Sequence, residues 1–180
     1  DRDRTTLSQW VDSRIEILEE SYLFDPPVSP HLAARLANTQ IDPERVLSNL
    51  VGHAMADPNR ILLIEAAGGV LVPITDDGFL TVPLVQESTL PAVVVARSAL
   101  GTINHTLLTL EALRARRIEV AGVVINGPPN EENRRAIEKF GRVSTIVLPA
   151  LDNSPPLPEN IRDAARDFDT DGVLAPYFTG

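Results

Sequence analysis

Four short runs of mostly apolar, largely β-branched residues, separated by stretches of helical period, restrict this chain to few folds. The runs are Ile61–Ile64, Ala92–Ala96, Val120–Ile125 and Val143–Leu148. A continuous apolar run of this length reads as a strand covered on both faces, the usual state of a strand in a parallel sheet. Helices are predicted between the runs at 102–116 and 130–140, with a last one at about 159–170. Strand and helix in alternation predict an α/β fold with a parallel sheet flanked by helices. Upstream, Leu7, Trp10, Val11, Ile15 and Leu18 recur at helical spacing and predict an amphipathic helix over 5–20, with Trp10 in the core. Ser29-Pro30 and Asp42-Pro43 each place a capping side chain before a proline at the first helical position. They predict helices to Leu36 and to about Ala56. The stretch Asn153–Pro158 reads as a surface loop. At 180 residues, against roughly 100–200 per domain, residues 1–180 are expected to form one domain.

Composition removes several classes of function. With 16 Lys and Arg against 25 Asp and Glu, the net charge is −9, which argues against a nucleic-acid surface built on clustered cations. There is no Cys, hence no disulfide, no thiolate metal site and no Cys nucleophile. That is compatible with a cytoplasmic location, which is the expectation. No apolar run reaches the roughly 18–20 residues of a membrane helix, so no membrane partner is expected. The chain begins with Asp1 rather than Met, and further residues are expected upstream.

In open parallel sheets, ligands bind beyond the carboxyl ends of the strands, so the residues that follow each run carry the functional reading. After Ile61–Ile64 comes Glu65-Ala66-Ala67-Gly68-Gly69. A carboxylate followed by small residues suits a magnesium and phosphate site; a solvated Glu on a flexible turn is the alternative. After Ala92–Ala96 comes Arg97-Ser98-Ala99-Leu100-Gly101-Thr102-Ile103-Asn104-His105-Thr106. Gly101 permits a tight turn and Thr102 is a candidate N-cap. The helix start would offer free N–H groups to a carboxylate or phosphate, or it is simply a capped helix. His105 is a weak candidate base, since no partner carboxylate is placed by sequence. Asn126, after the third run, can match an adenine edge or serve a turn. Glu131-Glu132 with Arg134-Arg135 reads as a solvated face, His31 as packed or capping, and His53 is assigned nothing.

Three segments, in order, resemble the ATP-dependent dethiobiotin synthetases. They are Tyr22-Leu23-Phe24-Asp25-Pro26-Pro27-Val28-Ser29-Pro30-His31-Leu32-Ala33-Ala34, Ile64–Pro73, and Leu100-Gly101-Thr102-Ile103-Asn104-His105-Thr106-Leu107-Leu108-Thr109. The resemblance implies a Rossmann-like three-layer fold of the P-loop NTPase type, acting as a homodimer. It implies a ligase of biotin biosynthesis with ATP as co-substrate, Mg²⁺ as cofactor, and 7,8-diaminononanoate and CO₂ as substrates. By the same resemblance Glu65 holds Mg²⁺, with Asp3 (or Asp1) as the second metal carboxylate. Glu65, Ala66, Ala67 and Gly68 lie at the phosphates; Asn126, Gly127, Leu148, Pro149 and Ala150 lie at the adenine. Ser29 lies near the diamine, and Gly101, Thr102, Ile103 and Asn104 receive the substrate carboxylate across the dimer interface.

Two departures from that family pattern stand out. Ala66 occupies a position usually held by Gly, which matters only if its backbone needs positive φ. No G-x-x-x-x-G-K-[ST] occurs, and Lys139 is the only Lys. In the family the phosphate loop and the catalytic Lys lie upstream of the equivalent of Asp3. The first strand, phosphate loop, first helix and second strand are therefore expected to be missing here, and no catalytic residue is assigned. Charge-assisted contacts contribute roughly 1.5–3 kcal/mol each, so these 180 residues alone are expected to be inactive; an exposed sheet edge or unfilled core is expected to make them less stable and prone to aggregate. The rival of another class is a non-catalytic relative that keeps the binding and dimerisation surfaces. Cobyrinate-type amidotransferases and partitioning ATPases fit less well with the Gly-Thr-Ile-Asn-His-Thr run.

Overall fold

The computed structural model describes residues 2–12, 14–57, 59–151 and 157–178. Asp1 and most of the Asn153–Pro158 stretch lie outside the described residues. The centre is a parallel sheet of three strands in the order β1 (Ala92–Arg97), β2 (Val120–Asn126), β3 (Thr145–Leu148). Two helices make the crossovers, α5 (Thr102–Arg114) from β1 to β2 and α6 (Glu131–Gly141) from β2 to β3. The helices α1 (Arg2–Trp10), α2 (Pro30–Leu36), α3 (Pro43–Met55), α4 (Thr81–Ser88) and α7 (Pro158–Arg166) complete the fold. This is the expected α/β architecture. None of these helices is long and apolar enough to cross a membrane.

The two faces of the sheet are covered by different parts of the chain. On one face Val123 and Ile125 of β2 pack with Leu110 of α5 and Ile137 of α6, and Val94, Ala96, Ile103, Leu107 and Val143 close around them. On the other, Val124 and Ile146 pack beneath Leu174, with Phe168 and Val173 at the margin. Asp169 fixes that C-terminal cover, its carboxylate accepting the amides of Val173, Leu174 and Ala175. The cover does not extend over β1. Val95, in register with Val124, is 69% exposed where Val124 is 5% exposed. Among the described residues β1 pairs only with β2, so its outer edge carries no ladder.

Several sequence expectations change here. Ile61–Ile64 forms no strand, and Leu63 is 79% exposed. An extended run becomes a strand only when a neighbour accepts its backbone groups, and none of the described residues does so. The helix expected over 5–20 ends at Trp10, which is half-buried rather than core. There the Asp12 carboxylate accepts the Arg14 amide and the Ile15 amide returns to the Asp12 carbonyl, which turns the chain. The fourth run pairs only from Thr145, and the last helix closes at Arg166. The unexpected α4 carries Pro83 in its first turn, where no N–H partner is needed.

α6 begins with Asn130, whose side chain accepts the Asn133 amide at 3.0 Å. Glu131 accepts from both Arg134 and Arg135, and the Arg134 hydrogen bond, the largest influence, holds its carboxyl below the ordinary range. A lowered folded pKa stabilises above the unfolded value and loses that increment as pH falls through the folded one. Glu131→Gln is therefore expected to lower the urea midpoint slightly at pH 7. The difference from the parent should shrink as the pH falls below the ordinary carboxylate range and through the lowered pKa of Glu131, beyond which both side chains are neutral.

Candidate functional site

The parallel register brings three strand ends together. Arg97 of β1 stands beside Asn126 of β2, which stands beside Leu148 of β3. Hydrogen bonds continue past the strands, from the Ser98 amide to the Asn126 carbonyl and from the Gly127 amide to the Leu148 carbonyl, both 3.0 Å. Gly127 adopts φ +126°, and a Cβ there would lie 2.7 Å from Ser98 Oγ. Only glycine meets both demands. Asn126, Gly127 and Leu148 thus form one rim, and Pro149 and Ala150 follow directly from Leu148 along the chain.

α5 starts beside this rim. Gly101, not Thr102, is the cap residue, at φ +91° with no side-chain cap. Thr102 is the first helical residue, its amide bonded to the Ala99 carbonyl at 3.2 Å and its side chain buried. The hydroxyl cannot cap because it is turned inward, where it and the Thr106 hydroxyl find no partner among the described residues. The next two amides, of Ile103 and Asn104, also have no hydrogen-bond partner among the described residues. The helix start is therefore open to an anion. A groove of about 390 Å³ lined by Val94, Arg97, Thr102, His105 and Thr106 runs between α5 and β1. His105 is exposed.

Glu65 stands on the exposed segment before a turn in which the Gly68 amide reaches the Ala66 carbonyl at 2.9 Å. The positive φ of that turn falls on Gly68, at +94°, and not on Ala66. The methyl group of Ala66 is thus accommodated without backbone strain. The segment is anchored by Val70, which packs with Val82, Leu113 and Ile118, and by the Val72 carbonyl, which accepts the Thr81 amide. α2 is tied to it, with His31 Nδ1 3.3 Å from the Pro73 carbonyl and Arg35 paired with Asp76. Ser29, at the cap position of α2, leaves its hydroxyl out of capping. The structure thus joins Ser29 to the Glu65 segment, and Asn126 to the start of α5, as two groups. Asp3 is exposed on α1, which packs on α7. Among the described residues no three or more His, Asp or Glu side chains gather as a metal cluster.

Known proteins are similar to this chain in sequence. A family model described as an AAA domain matches residues 1–159. The ATP-dependent dethiobiotin synthetase BioD of Lawsonia intracellularis is 41% identical over 149 residues, covering 78% of this chain and 69% of the relative. The chain belongs to the dethiobiotin synthetase family. The BioD of Paramagnetospirillum magneticum is 51% identical over 129 residues, covering 69% of this chain and 59% of that protein. The biotin biosynthesis bifunctional protein BioCD of Bordetella avium is 47% identical over 133 residues, or 73% of this chain and 27% of that protein. This dethiobiotin synthetase-family chain spans only part of the length of these relatives.

Within the family member, sequence reasoning missed Ser98 and Asn133. The Asn133 side chain donates to the Ser98 carbonyl at 3.1 Å. The signal available was Asn130 three residues before Asn133, which marks the helix start, but nothing local points from Asn133 to Ser98. Mg²⁺ keeps several waters and takes one or two carboxylates plus substrate phosphates. The single exposed carboxylate of Glu65 fits that role, and the absence of a larger cluster among the described residues is compatible with it.

Proposed function

We propose that this chain is the part of an ATP-dependent dethiobiotin synthetase that binds the diamine carboxylate and the adenine. In the proposed reaction one amine of 7,8-diaminononanoate adds to CO₂ and gives up a proton to form a carbamate. The γ-phosphoryl group of ATP passes to a carbamate oxygen. The second amine then attacks the carbamate carbon, phosphate leaves, and the ureido ring closes with ADP as the other product. Negative charge accumulates on carbamate and phosphate, and it must be held by cations and oriented N–H groups.

The residues divide that work. The amides of Ile103 and Asn104, with Gly101 and Thr102 shaping the turn, receive the substrate carboxylate; in a homodimer they serve the partner's substrate. Asn126 and Gly127, with Leu148, Pro149 and Ala150, hold the adenine. Glu65 holds Mg²⁺, which supplies charge neutralisation at the phosphates, and Ala66, Ala67 and Gly68 offer backbone beside them. Ser29 lies by the diamine. Asp3 is the weaker candidate for a second magnesium carboxylate. The phosphate loop and catalytic Lys are supplied by polypeptide other than these 180 residues, and the protein works in the cytoplasm.

The observation that carries this reading is the open start of α5, with two unpartnered amides beside the Asn126 strand end. The test is to incubate the full-length gene product with diaminononanoate, bicarbonate, ATP and Mg²⁺, following dethiobiotin by mass spectrometry and ADP by a coupled assay. Stoichiometric dethiobiotin and ADP are expected. A folded full-length product that binds diamine but forms neither would overturn the reading in favour of a non-catalytic relative.

A further inference from the structure

A chain of hydrogen bonds crosses the candidate site sideways, and one side chain holds its end. Asn133 Nδ2 donates to the Ser98 carbonyl at 3.1 Å. The Ser98 amide donates to the Asn126 carbonyl, and the next residue's amide, that of Gly127, donates to the Leu148 carbonyl. Ser98 is buried, and its Oγ lies only 2.7 Å from where a Cβ on Gly127 would stand, so the two residues are in close contact and movement of Ser98 moves the Asn126–Gly127 turn. Asn133 is itself held, because its amide caps onto Asn130 and its helix is joined to β3 by Thr145 Oγ1 donating to Glu138 at 2.6 Å.

We propose that Asn133 is a positioning residue for nucleotide recognition: it braces Ser98, and through Ser98 it sets the Asn126–Gly127 turn that meets the adenine. The inference rests on the nucleotide reading of the strand ends given above, and it adds a residue that touches no ligand. The chemistry of the contact is directional. The Ser98 carbonyl can only accept, so the nitrogen of the Asn133 amide must face it. Aspartate has nearly the same shape but sets an oxygen against that carbonyl. The brace is then replaced by repulsion, while the cap made by the Asn133 backbone amide is kept.

The test uses the full-length gene product with Asn133→Asp, Asn133→Ala and Asn133→Gln, the last of which keeps a donor. Asn133→Asp is expected to raise KM for ATP about five- to tenfold, the scale of one lost part-buried hydrogen bond. KM for diaminononanoate should stay within about twofold, and the preference for ATP over GTP should fall. Asn133→Gln should recover part of the loss and Asn133→Ala should lie between. If Asn133→Asp lowers the melting temperature while KM for ATP and the nucleotide preference stay at parent values, Asn133 is merely structural and the inference is overturned. Equal increases in both KM values overturn it too. If the parent protein itself uses no adenine nucleotide, the reading of the rim falls and the inference falls with it. The parent's ATP dependence is measured first, so the two failures are distinct.

Discussion

Replacing Glu65 with glutamine in the full-length gene product is expected to lower ATP-dependent turnover about 100-fold, the scale of losing one preorganised electrostatic contact in a transition state. Glutamine keeps the size and one carbonyl oxygen but removes the charge, so the loss isolates the attraction for Mg²⁺. Glu65 is exposed, and its carboxylate takes part in no hydrogen bond or ion pair among the described residues. The melting temperature should therefore stay near the parent's, since surface changes of this kind cost within about 0.5 kcal/mol. Raising Mg²⁺ should restore part of the rate, because mass action offsets a weakened site. KM for the diamine should change little, because the site proposed for its carboxylate is the start of α5, away from Glu65. A variant with parental rate and parental magnesium dependence would remove Glu65 from the site.

The parts of this fold that could be read from sequence are those whose physics is local. The α6 boundary follows from Asn130 and the acidic residues after it, and β2 follows from an apolar run that is covered on both faces. Ile61–Ile64 is as apolar a run as the one that forms β2 but has no strand beside it among the described residues, so its pattern records a burial that these contacts do not supply. α4 was hidden because Pro83 reads as a helix breaker unless the first turn is already known. At α5 the motif was legible but its geometry was not. Thr102 is a good capping residue by type, yet its side chain is drawn into the packing of α5 on the sheet and Gly101 takes the cap. The Asn133–Ser98 contact spans 35 residues, and no pattern of spacing encodes it.

The uncovered face of β1 yields the second large effect, because one substitution can be read in two settings. Val124 and Val95 are neighbours in register on the same face of the sheet, and only Val124 lies beneath Leu174. In the 180-residue chain, Val124→Lys forces an ammonium group into that packing, at a cost of several kcal/mol. Against a total stability of about 5–15 kcal/mol, the melting temperature is expected to drop by about 10 °C or the cooperative transition to be lost. Val95→Lys in the same chain should leave the melt near the parent's. It should also reduce self-association in light scattering, since a charge on an open apolar edge opposes edge pairing. In the full-length gene product, a further strand and its covering helix against β1 would make Val95 as buried as Val124. There Val95→Lys is expected to be nearly as damaging as Val124→Lys, with Ile61–Ile64 gaining hydrogen-exchange protection in the parent. If Val95→Lys is harmless in both settings, nothing packs on that face, and the phosphate-binding part of the site is not built against β1.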